Sequence, residues 1–194
     1  MSKITRDSLM TLEAYSKGRN DFRARIMAHK KIRTVHLGEH ITLIFEDELT
    51  MRYQVQEMLR AEKIFEESGI QEEMDAYNPL IPDGSNWKAT MMIEYEDLDE
   101  RKEMLGKLIG VEEKLWAQVD GQEKVYPIAD EDLERETEVK TSAVHFLRFE
   151  LSPAMIKGLK QGAGLSMGVD HAAYQMGGPI KPEIRESLVG DLNA

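Results

Sequence analysis

The chain has 194 residues, 41% of them hydrophobic and 31% charged, which gives enough apolar surface for one well-buried core and excludes a disordered chain. A formal net charge of −11 argues against nucleic acid as the main partner, since phosphate binding draws on surplus Lys and Arg. The absence of cysteine removes disulfides, thiolate nucleophiles, cysteine-ligated iron–sulfur clusters and haem-thiolate, while a metal held by other ligands stays open.

Met1 to Asn20 lacks a continuous apolar run and a small-residue cleavage site, and no segment carries the ~20 apolar residues that span a bilayer. A cytoplasmic location and no membrane partner are expected. Asp7 predicts the N-cap of a short helix carrying Leu9, Leu12 and Tyr15, followed by a second helix to about Ile32. Within it, Lys17 to Arg33 holds seven basic residues and one acid. At about 100° per residue, Arg19, Arg23 and Lys30 form a ridge flanked by Phe22 and Ile26.

From Thr34 to Glu46 the pattern switches to period two, and Gly38-Glu39 predicts a hairpin. A three-residue loop sets Leu37 opposite Ile41 and Val35 opposite Leu43, so that these four and Phe45 share a face. A two-residue loop would put Thr34 and His36 there instead, and the pattern therefore selects the longer loop. Asp47 or Thr50 then opens a long amphipathic helix to about Glu67, with Met51, Val55, Met58, Leu59 and Phe65 inward and Ser68-Gly69 as its stop.

The segment Asn78 to Ser85 is the strongest punctuation in a single compact domain spanning 1–194, and any subdomain boundary falls at 78–85. Beyond it, strands are predicted at about Trp87 to Tyr95, Leu115 to Asp120, Glu123 to Tyr126, Ala143 to Leu151 and Gly164 to Asp170, with a turn at Asp120-Gly121. Helices are predicted from Leu98 to Ile109, from Ser152 to Lys160 with Pro153 in first position, and from Pro182 to Val189. The order implies an α+β fold, with a helical N-terminal part and a β-hairpin packed on a largely antiparallel sheet with short helices.

Several residues could carry chemistry. His36-Leu37-Gly38-Glu39-His40 matches a zinc-peptidase string, but that chemistry needs a helix and this string lies on a hairpin, with His36 on the outer face and His40 in the turn. Asp170, His171 and Tyr174, joined by His145, could supply metal ligands or an oriented general base. Against this, His145 can be a satisfied core histidine and His171 a loop-bonded one. The basic ridge of Arg19, Arg23 and Lys30, with His29 and Arg33 nearby, could bind an anion. Charge pairing with the protein's own acidic runs, Glu94 to Glu103 or Asp130 to Glu138, within the fold or in a homodimer, is the favoured alternative, and a homodimer is expected. Arg52, Tyr53 and Gln56 form a polar set suited to a ligand or to supporting a loop. Gly162-Ala163-Gly164-Leu165-Ser166-Met167-Gly168 precedes a strand, so its glycines suit a helix cap at Gly162 and close strand approach better than a dinucleotide.

The run Ser142 to Phe149, Gly162-Ala163-Gly164, Val169-Asp170-His171-Ala172-Ala173-Tyr174 and the ending Glu183 to Leu188 with Asp191-Leu192 resemble one uncharacterised bacterial family, a domain of unknown function. Arg52 to Met58 and Ile93-Glu94-Tyr95 also fit it. The resemblance implies genes beside those of rubrerythrin and iron–sulfur oxidoreductases, hence an accessory or binding protein in a redox or oxidative-stress system, with a redox partner protein. The chain does not copy a rubrerythrin diiron site, because none of its five histidines has Glu three positions before it.

Overall fold

The computed structural model describes residues 3–193. After a 3₁₀ turn at Arg6–Ser8, one helix, α1, runs Leu12–Lys31 and leads into the hairpin β1 (Thr34–Leu37) and β2 (Ile41–Phe45). Helices α2 (Glu48–Ala61) and α3 (Glu67–Tyr77) follow, then β3 (Asn86–Ile93), α4 (Leu98–Lys107), β4 (Leu115–Val119), β5 (Lys124–Val125) and β6 (Ile128–Ala129). The chain ends with β7 (Val144–Glu150), α5 (Pro153–Lys160), β8 (Leu165–His171), β9 (Tyr174–Pro179) and α6 (Pro182–Gly190). The fold is α+β.

The strands form two antiparallel sheets, β1-β2-β3-β7-β6 and β5-β4-β8-β9. Period-two alternation buries one face of each: Leu43, Phe45, Trp87 and Phe149 from the first share one apolar cluster with Ala117, Val119, Met167 and Val169 from the second. Helices α4, α5 and α6 add Leu105, Leu159 and Leu188 to that cluster. The indole N–H of Trp87 donates to Leu188 O at 2.9 Å, tying β3 to α6. The N-terminal helices have separate apolar clusters, one built on Val55, Leu59 and Met74 and an aromatic one on Tyr15, Phe22 and Tyr53.

The hairpin takes the expected register, with Leu37 paired to Ile41 and Val35 to Leu43, and all five predicted inner residues are buried. Gly38 sits in its loop at φ +73°. Three other expectations are corrected. Thr11 caps α1, its hydroxyl accepting from Ala14 N at 3.2 Å, so Tyr15 belongs to one long helix and Asp7 to the preceding 3₁₀ turn. The helix begun by Asp47 stops at Ala61, where Lys63 adopts φ +55° and Ile64 N bonds Leu59 O at 2.9 Å.

That turn carries Ile64 inward in place of Phe65, which is 72% exposed. Ser68 and Gly69 therefore open α3 and do not end α2; a Cβ on Gly69 would meet Ile64 Cγ2 at 2.7 Å. The third correction is that the sheet is two sheets, with β6 and β9 added. Gly177 in β9 and Gly168 in β8 lie against Trp116, where a Cβ would come within 2.3 and 2.4 Å of Cζ2. Gly162 follows α5 at φ +96°, as a helix-capping glycine does.

Candidate anion-binding cleft and the fate of the predicted site residues

The basic island divides according to where α1 meets its neighbours. Arg19 faces α2 and holds Glu57 through Nε and Nη2, both at 2.7 Å, while Tyr15 OH donates to the same carboxylate at 2.5 Å. These contacts, the guanidinium first, hold the Glu57 carboxyl down at about 2; the carboxylate raises Arg19 above its ordinary value, and burial, with the bond to Glu57 second, raises the Tyr15 hydroxyl. Arg23 is exposed on the same helix. Arg33, 1% exposed, donates to Phe45 O, Glu46 O, Ser187 Oγ and both oxygens of Asp191. His29 Nε2 lies 2.5 Å from Asp47 Oδ2 beside it.

Lys30 goes elsewhere. With Lys31 it ends α1, where cations complement the helix C-terminus, and both line a cleft of about 500 Å³ against the edge strand β1 and the start of α6. Lys181, the N-cap residue of α6, and His36 of β1 face the same cleft, and Glu183 is the one acidic residue lining it. Among the described residues the lysines that form ion pairs are Lys17, Lys102, Lys107 and Lys124. Lys30, Lys31 and Lys181 form no ion pair among those residues, on an acidic protein. The sequence signal for Lys181 was its place before Pro182, a helix-start pattern, which predicted the helix but not its arrival beside α1.

The polar set on α2 supports the N-terminal segment. Gln56 clamps Met10, accepting from its N–H at 2.6 Å and donating to its carbonyl at 3.4 Å. Arg52 lies 3.2 Å from Glu48 and 6.0 Å above the Phe22 ring, and Tyr53 packs edge-on against Phe22 with centroids 6.0 Å apart.

The four residues read as metal ligands have separate partners. His145, 0% exposed, sets Nδ1 2.6 Å from Asp130 Oδ2, and its Nε2 lies 2.9 Å from Thr141 Oγ1 and 3.0 Å from Ser142 O. Behind it Glu112 is 6% exposed; its Oε2, 3.9 Å from the ring, has no hydrogen-bond partner among the described residues, and burial pushes its carboxyl above the usual range. Asp170 accepts from Trp116 Nε1 at 3.1 Å and from Lys124 Nζ and Tyr126 OH at 2.8 Å, and Lys124 holds its carboxyl below the usual range. His171 donates from Nε2 to Ile109 O and accepts from Ala173 N–H, both at 3.1 Å. Tyr174 OH donates to Leu37 O at 2.6 Å.

The H-x-x-E-H string is equally dispersed. His36 Nδ1 lies 3.2 Å from Thr42 Oγ1, and His40 bonds Glu94 O at 2.9 Å while stacking on Tyr95. Among the described residues no group of three or more His, Cys, Asp and Glu side chains is arranged to hold a metal ion. No described helix is long and apolar enough to cross a membrane.

The family described as Protein of unknown function (DUF3501) matches residues 3–192. The chain belongs to that family. This DUF3501 protein is also similar to a solved structure, the crystal structure of a novel protein of unknown function from Burkholderia pseudomallei K96243, at 56% identity and a TM-score of 0.94. The match covers 99% of this chain and 100% of that one. No curated protein matches the chain. The two sheets, the helical N-terminal part and the cleft between α1, β1 and α6 thus belong to a DUF3501 member that aligns over 99% of its length with a crystallised relative.

Proposed function

We propose that this DUF3501 protein is an accessory binding protein that receives an anionic group, phosphate or carboxylate, in the cleft of Lys30, Lys31 and Lys181. The observation that carries this is that three lysines without ion-pair partners among the described residues line one concavity of a protein of net charge −11. Like charges brought to one cleft raise its potential and draw in an anion. A role beside rubrerythrin or iron–sulfur oxidoreductases and a redox partner protein belong to the same proposal and are supported by the family resemblance; a cytoplasmic location and a homodimeric state are proposed with them. In that setting an acidic segment of the partner is the natural occupant.

Titration calorimetry with inorganic phosphate and with a short glutamate-rich peptide, in low and moderate salt, tests the cleft. Binding of either is expected to weaken with salt and to fall about fivefold for each of Lys30→Glu and Lys181→Glu. Affinity unchanged in the double variant would end this reading, and native mass spectrometry of the untagged protein reads the subunit count beside it.

A further inference from the structure

Glu46 and Lys88 are cross-strand neighbours that do not pair. Phe45 aligns with Ala89 and both are buried, and Glu46 N donates to Lys88 O at 2.8 Å, so the next side chains along, Glu46 and Lys88, share the outer face of the sheet. Opposite charges in that relation ordinarily meet. Here the Lys88 ammonium turns to the carbonyl of Pro79, and Glu46 accepts from Thr50 Oγ1 at 2.6 Å and Thr90 Oγ1 at 2.7 Å, one hydroxyl on each carboxylate oxygen. Neither side chain makes an ion pair among the described residues.

Both line a cavity of about 290 Å³ between the end of α3 and the sheet, with Pro79, Leu80 and Phe146 as apolar wall. The other charges at its mouth are already matched: Arg148 holds Glu131 at 2.6 and 2.8 Å, and Arg135 holds Asp132 at 2.5 and 2.6 Å. The cavity therefore keeps one unmatched cation and one unmatched anion, the latter on a residue 5% exposed. Burial also holds the Lys88 ammonium below the usual lysine range, so a counter-ion would be favoured there.

We propose that this cavity binds a small zwitterion of the α-amino acid class, with its carboxylate on Lys88, its ammonium on Glu46 and its side chain on the apolar wall. A simple anion would have to sit beside Glu46 and a simple amine beside Lys88; only a ligand with both charges satisfies both groups. The two threonine hydroxyls hold Glu46 in place without neutralising it, which keeps the gap open. This site is separate from the lysine cleft and stands or falls independently of it.

Calorimetric titration of the wild-type protein with amino acids from glycine to phenylalanine tests the proposal without any variant. At least one should bind, and its N-acetyl and amide derivatives, each lacking one charge, should bind about thirtyfold more weakly. Lys88→Met and Glu46→Gln should each produce a loss of similar size. Equal affinity for either derivative, or no binding by any amino acid up to about 10 mM, overturns the assignment.

Discussion

Arg33 and Lys88 are both drawn out of bulk solvent, yet their surroundings differ in completeness. Each nitrogen of the Arg33 guanidinium has an acceptor, and together the acceptors join the end of α1 to the end of β2 and to α6. Burial pushes the Asp191 carboxyl upward against the pull of Arg33, so the pair is held by geometry and packing in spite of its desolvation. Lys88 and Glu46 sit opposite one another and stay apart, each held by uncharged partners. A buried charge with every partner supplied locks elements together, whereas one left with neutral partners is available to something that arrives from outside.

Breaking the complete site should have the largest effect. Arg33→Met leaves Asp191 and two backbone carbonyls unpaired and is expected to cost ~3–5 kcal/mol, a fall in Tm of about 10 °C measured by calorimetry. A loss below ~1 kcal/mol would show that Arg33 is not the clamp described. Next comes Glu57, whose pKa of about 2 lies below the ordinary ~4.3, so its contribution to stability is present above that ordinary value and is lost as pH falls toward 2. Glu57→Gln should cost ~1–2 kcal/mol at neutral pH, and urea titrations should show the gap closing near pH 2.

Glu112 tests the opposite sign. Its raised pKa means the folded chain holds a proton that the unfolded chain releases, so its contribution is complete below the ordinary glutamate value and is lost as pH rises through the folded one. Glu112→Gln should therefore be more stable than wild type at neutral pH by ~1 kcal/mol, with the advantage disappearing in acid; a variant that is less stable at neutral pH would refute the sign. The smallest effect is expected at the incomplete site. Lys88→Met strands no charged partner and should shift stability by less than ~1 kcal/mol. If it costs as much as Arg33→Met, the distinction between the two sites disappears.

Legibility in the sequence followed the range of the forces involved. The hairpin register was readable because sliding Val35, Leu37, Ile41 and Leu43 by one residue would expose all of them, and the structure pairs them as expected. Ser152 and Pro153 fixed the start of α5, and Gly162 its end, through local capping chemistry. The break after Ala61 was hidden because the helical period runs on through Phe65, and only the packing of Ile64 against Gly69 decides against it. At the sites, the sequence showed a basic island but not its division, since Glu57 and Asp191 lie 38 and 158 residues away along the chain from Arg19 and Arg33.

By itself the sequence determined the α+β class, the strand-rich second half, the exclusion of cysteine chemistry and most helix starts, because composition, period and caps act within a few residues. The tertiary structure alone decided that the strands form two sheets, that His145 and His171 have separate partners, that three lysines share a cleft and that Glu46 faces Lys88 unpaired. Those outcomes depend on which distant segments pack together, and that choice is made by burial of the whole apolar surface, which no short window of residues contains.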